Sequence, residues 1–271
     1  MYYLLTESFK EQHTKLVKII LEAVDADKIY FLGSTLMRRR TESIFMTDAP
    51  SCSYVGHYYI LVLIENGQGL NVAQDKIENS CQHFIHVTAI VLYKDQFRIW
   101  LEEGRQFART VKNMAVLLHG NDEKNSLSEL PNDDLRSAES ESLLSHGLNK
   151  VTEFLAGADL YRVREQNKMA AFMLHQAVEQ GLTIILRIKT GLNFNTHNLD
   201  KLIRYCSMVS YNVQDIFPKN NENDQRLFKL LQRAYIDGRY KVDFIIRTED
   251  LLLITERVRR LLSLMKSVFQ N

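Results

Sequence analysis

The chain has 271 residues, 45% hydrophobic and 25% charged, an ordinary globular balance that excludes wholesale disorder and allows two domains. The formal net charge of +1 divides unevenly: residues 1–120 hold 13 Lys/Arg against 13 Asp/Glu, residues 121–150 hold 3 against 7, and residues 151–271 hold 18 against 13. No apolar run approaches the roughly 20 residues a membrane-spanning helix needs, and the scattered Cys52, Cys81 and Cys206 exclude a disulfide framework or zinc motif.

The first residues lack the basic start and long apolar stretch of a secretory signal, so a reducing, cytoplasmic setting is expected. From Ser8 to about Val24, Phe9, Leu16, Val17, Ile20 and Leu21 recur at helical spacing. The run Lys28–Leu32 closes on Gly33-Ser34 and predicts a buried strand entering a turn. Residues 37–50, with Arg38-Arg39-Arg40 and a Thr-Asp-Ala-Pro segment, are expected to be partly loop. A second strand falls at Tyr58–Ile64, a polar helix at Asn71–Gln82, and a β-branched third strand at Ile85–Tyr93. Helical pattern returns from Asp95 to about Glu103 with Gly104 as its stop, and Ala115–Leu118 can supply one more strand.

The polar stretch 120–134, containing Pro131, is the natural boundary. Beyond it strand signals vanish. Helices are predicted at roughly 135–161, 165–190, 197–210, 224–246 and 248–269, with Gly191 ending the second. Thr196 and Asp224 stand where caps for the third and fourth would, and Thr248-Glu249-Asp250 opens the fifth with acids against the positive helix end. The fold class is therefore α+β: a mixed sheet with helices over 1–120, a linker over 121–134, and an antiparallel helical bundle over 135–271.

The order helix, strand, Gly33-Ser34, strand resembles the minimal nucleotidyltransferase domains of the DNA polymerase β superfamily. The resemblance implies that Gly33 and Ser34 would hold a triphosphate at the head of a helix. It also implies that the second strand would open with Asp-x-Asp, and that those acids would bind two magnesium ions. Here the corresponding positions are His57 and Tyr59, and the strand from Phe84 to Leu92 contains no Asp or Glu. Magnesium wants hard oxygen ligands, which an imidazole and a neutral phenol do not replace. A transferase-like domain without metal-dependent activity is expected, with no metal site. Gly33, Ser34, Arg38, Arg39, His57 and Tyr59 are its nucleotide-binding candidates. A tight turn without ligand and a solvated arginine face are the alternatives.

In the second half, Ala170–Gln180, Thr196–Leu202 and Arg233–Lys241 follow one another in an order similar to that of the HEPN family (higher eukaryotes and prokaryotes nucleotide-binding). His175 and Glu179 are i and i+4 on one predicted helix, as are Tyr235 and Arg239, and Asp237 and Lys241, on another. If those helices pack together, His175, Glu179, Tyr235, Asp237 and Arg239 share a cleft, with His197 and Lys241 as further candidates. An Arg fork suits phosphate and a Tyr suits a base or ribose edge. The alternative is a buried polar network that fixes helix register, with Arg239 paired to a carboxylate.

Many HEPN proteins resemble metal-independent ribonucleases with Arg-x(4–6)-His on one helix, but here Arg164…His175 and Arg187…His197 are too widely spaced. No residue is assigned a catalytic role. The expected ligand is a nucleotide of the ATP or GTP class without magnesium, and RNA is a possible partner. Neither a DNA nor a membrane signal is evident. The family resemblance also implies a homodimer through the helical domain. The apolar residues Leu251–Ile254, Val258, Leu261, Leu262 and Leu264 nearly encircle the last helix, as burial on several sides requires.

Overall fold

The computed structural model describes residues 7–41, 51–121 and 133–270, and its contacts divide into two units, Met1–Glu129 and Leu130–Asn271. In the first, α1 (Glu7–Ala23) leads into β1 (Ala26–Thr41), which pairs antiparallel with β2 (Ser51–Ile64). Helix α2 (Leu70–Cys81) carries the chain across to β3 (His86–Tyr93), parallel to β2. Helices α3 (Lys94–Glu102) and α4 (Gln106–Met114) precede β4 (Val116–His119), which pairs antiparallel with β1. The sheet order is β3-β2-β1-β4, a mixed sheet as expected.

The uninterrupted apolar run of β2 has a simple cause: it is a central strand covered on both faces. Tyr58, Ile60, Val62 and Ile64 join Leu16, Ile20 and Ile77 in a core on the α1/α2 side. Tyr59, Leu61 and Leu63, which point the other way, are buried as well. Helix α4 was not anticipated. Its apolar stripe, Phe107, Ala108 and Val111, is short and interrupted by Arg, Thr and Lys, too little for a periodicity argument.

The segment after Gly33 departs from expectation. Instead of turning into a helix, β1 continues to Thr41, with Ser34 opposite Tyr58 and Thr35 opposite His57. Gly33 marks a bulge, where the register shifts after Phe31 and φ reaches +154°, a conformation glycine adopts without a Cβ penalty. The chain stays extended because β2 reaches back to Ser51 and offers a ladder partner for each residue through Thr41. Arg38 and Arg39 thus belong to a strand, opposite Tyr54 and Ser53, and their side chains lie outside the described residues. Most of the expected linker lies outside them too.

The second unit is helical: α5 (Asp133–Val163), α6 (Asn167–Thr190), α7 (Leu199–Val209), α8 (Asn212–Ile216), α9 (Glu222–Ala234), α10 (Asp237–Tyr240) and α11 (Thr248–Gln270). Helix α6 is its axis, touching α5, α7, α9, α10 and α11. Among the described residues it is the one helix long and apolar enough to cross a membrane, and its Leu174, Val178, Leu182 and Ile185 form the bundle core. Gly191 ends it in the left-handed region, φ +75°, as the sequence indicated.

Three details differ from expectation. The helix predicted over 224–246 stops at Ala234, resumes for one turn as α10, and gives way to irregular chain before α11. Phe244 and Ile246 are buried while Tyr240, Val242 and Ile245 are 73%, 92% and 78% exposed, so the packing of that stretch follows no helical face. Gly238 permits α10 to approach α6, since a Cβ there would come to 3.0 Å from the Lys168 carbonyl oxygen. The caps also lie elsewhere. Asn198, not Thr196, accepts from the Lys201 N–H, and Asn221 accepts from the N–H of Asp224, which stands inside the first turn.

Candidate functional site

The helical unit gathers its candidate residues around one ring. His175 and Glu179, one turn apart on α6, look toward Tyr235 at the end of α9, and His197 reaches the same place from the chain entering α7. His197 Nδ1 lies 2.9 Å from Glu179 Oε2, and His175 Nδ1 lies 3.7 Å from the same oxygen. The Tyr235 ring stacks on His197 at 4.1 Å and 19° and contacts His175 at 5.2 Å. Arg239 Nε donates to the Tyr235 carbonyl at 2.7 Å. That bond holds the guanidinium over the rings of Tyr235, Tyr240 and Phe172, at 4.4, 4.9 and 5.1 Å.

Exposure divides this cluster into a floor and a rim. His175 and Glu179 are buried, the His197 side chain is half exposed, and Arg239 is exposed. Among the described residues neither ring nitrogen of His175 makes a hydrogen bond of good geometry, the nearest acceptor being the His197 backbone. Burial pushes its imidazole down to about 4, with the His197 backbone opposing and the charges of His197 and Arg239 adding to the effect. Glu179 is a buried carboxylate whose ion partners among the described residues are the two histidines. No carboxylate among the described residues pairs with Arg239. The alternative of a register-fixing Arg239–carboxylate pair is therefore not what the bundle builds.

Asp237 and Lys241, expected beside these groups, do a different job. Asp237 is buried and accepts from Arg233 Nε at 2.6 Å, with Lys241 Nζ at 3.1 Å. Burial would raise its carboxyl, but the hydrogen bonds from Lys241 and Arg233 outweigh that and hold it below the ordinary range. The clasp fixes α10 to α9. Sequence reasoning had no way to separate Asp237 from Arg239, because the helix was predicted as continuous and its faces as regular. Phe172 and Tyr240 were missed, although Phe172 stands three residues before His175 and Tyr240 lies between Arg239 and Lys241.

In the first unit the candidates do not converge. Ser34 lies opposite Tyr58 and so shares the α1 face, while Thr35, His57 and Tyr59 occupy the other. On that second face His57 Nε2 is 2.6 Å from Thr88 Oγ1, Tyr59 OH is 3.2 Å from Thr35 Oγ1, and the His57 and His86 rings lie 6.4 Å apart. The Ser34 hydroxyl is buried without a hydrogen-bond partner among the described residues. A magnesium pair does not fit this donor set: imidazole, phenol and threonine hydroxyls replace the acids the ions require. Among the described residues no group of three or more His, Cys, Asp or Glu could hold a metal.

The second unit is thus a helical bundle with a polar, aromatic cluster between its second helix and the α9–α10 break. The family model for the HEPN domain matches residues 147–268, so this unit contains a HEPN domain, and His175, Glu179, His197, Tyr235 and Arg239 all fall within it. No curated protein matches the chain.

Proposed function

We propose that the HEPN domain binds a nucleotide in the cleft around Tyr235, and that the first domain is a transferase-like sheet without metal-dependent chemistry. The observation that carries this reading is an exposed guanidinium, Arg239, with no carboxylate partner among the described residues, held over three aromatic rings. Such a group is positioned for a phosphate, and the exposed Tyr240 beside it offers a stacking face for a base. In the first domain, the His57–Thr88 and Tyr59–Thr35 pairs occupy the place where a magnesium-binding domain needs acids.

The test is thermal. ATP or GTP should raise the melting temperature of the full chain equally with and without magnesium, and Arg239→Ala or Tyr235→Ala should reduce the shift. A shift that requires magnesium and survives Arg239→Ala overturns the reading.

One observation favours a second reading, RNA cleavage. If the His197 proton sits on Nδ1 facing Glu179, Nε2 is left to act as a base, and Arg239 lies over the Tyr235 ring on which His197 stacks. RNA cleavage lost in both His197→Ala and Arg239→Ala would establish it. The homodimer is also a proposal, supported by the half-exposed Leu252 and Leu253 on a helix whose other apolar residues are mostly core. A sizing column decides it.

A further inference from the structure

A cavity of about 320 Å³ opens in the first unit between the start of β1, the end of β2, and helices α3 and α4. It lies at the carboxyl ends of the parallel strands β2 and β3, where open α/β sheets collect ligands. Leu63 lines it, so it is roughly 20 Å along β2 from His57 and is separate from the residues considered above.

Its floor is aromatic and its rim is basic. Tyr30 and Phe97 are buried with ring centroids 6.0 Å apart. Around them stand Lys28, Lys94, Arg98 and Lys112, against Asp27 and Asp95. All four cations already interact with neighbours; Lys94 binds Glu65, and Arg98 Nη2 lies 3.4 Å from Asp95. Both pairs are largely exposed, and exposed pairs contribute on the order of 0–1 kcal/mol, so an arriving phosphate displaces them at little cost.

A second observation points the same way. Arg109, one turn before Lys112 on α4, is only 6% exposed, yet its Nη1 has no hydrogen-bond partner. Among the described residues no carboxylate pairs with it. A buried guanidinium that meets no carboxylate among the described residues is costly, so this helix carries positive charge that an anion close by would offset.

We propose that this cavity binds an organic phosphate: a phosphate monoester whose charged group meets the Arg98–Lys112 rim and whose flat apolar part covers Tyr30 and Phe97. The site is independent of the HEPN cleft, and the test keeps the two apart. Calorimetry is run on the full chain carrying Arg239→Ala, which silences the other cleft, with 5′-AMP as probe.

One AMP per chain is expected. Adding Arg98→Glu and Lys112→Glu should weaken it by about tenfold or more, and Arg98→Lys should leave most of the affinity. Phe97→Leu should weaken AMP while leaving inorganic phosphate unchanged. Circular dichroism confirms that each variant is folded, and if the double charge reversal unfolds, Arg98→Glu alone gives the reading. AMP binding that ignores the charge reversals overturns the proposal, as does its absence from the Arg239→Ala chain. Inorganic phosphate binding as tightly as AMP would remove the aromatic half of it.

Discussion

The two units treat similar polar residues in opposite ways. In the helical unit, His175, Glu179, His197 and Arg239 come from three stretches of chain and meet at one phenol ring. In the sheet unit, neighbours in sequence are driven apart: Ser34 shares one face with Tyr58, while Thr35, His57 and Tyr59 occupy the other. The geometry of the elements explains the contrast. A helix returns to the same face every three or four residues, whereas a strand alternates at each one. A shared cluster follows in the first case, and local side-chain pairs in the second.

That contrast is exposed to experiment. The largest effect should come from the axis of the helical unit: Leu174→Ala, which empties a 1%-exposed site on α6, should cost about 2–5 kcal/mol in chemical denaturation. Next is the floor of the cleft. His175 titrates at about 4 when folded but near its ordinary 6.5 when unfolded, so the unfolded chain takes up the proton first. Stability is therefore full above pH 6.5 and falls as pH drops from 6.5 towards 4, by roughly 3 kcal/mol in total. Denaturation curves of His175→Leu should lack that slope.

A smaller loss is expected where α9 is tied to α11. Arg226 donates to both oxygens of Asp250, at 2.9 and 2.6 Å, and this fork is the main reason the carboxyl is held below its ordinary range. Its contribution is present above the ordinary carboxylate range and is lost as pH falls through the depressed folded value. Arg226→Ala should lower stability at neutral pH and have less effect in acid, read by chemical denaturation at the two pH values. The smallest effect belongs to the sheet face. His57→Ala removes the hydrogen bond to Thr88, a bond of about 0.5–1.5 kcal/mol, and should leave nucleotide binding unaltered. A loss of binding there comparable to that of Arg239→Ala would erase the distinction between the two faces.

Much of this was legible in advance. The apolar run Tyr58–Ile64, the β-branched run ending at Tyr93 and the five helical periods each became the elements their patterns imply, apart from the break after Ala234. The i, i+4 pairing of His175 with Glu179 needed only helix geometry. The His197–Glu179 contact could not be read, because it joins α6 to a non-periodic stretch eighteen positions later. The path of the chain after Gly33 was misjudged for a related reason. Gly-Ser after an apolar run is compatible with a turn or a bulge, and the choice rests on a partner strand beginning at Ser51.

By itself the sequence determined which segments are helix or strand, where the two units divide in character, and that carboxylates are missing from the second strand. Hydrophobic period and residue chemistry are local properties, and they survive without knowledge of partners. The tertiary structure alone decided that Arg239 is exposed and stacked while Asp237 is buried in a clasp, and that a basic, aromatic-floored cavity forms at the far end of the sheet. Those outcomes depend on which elements meet and how closely, and close approach between distant residues leaves no mark on their spacing in the chain.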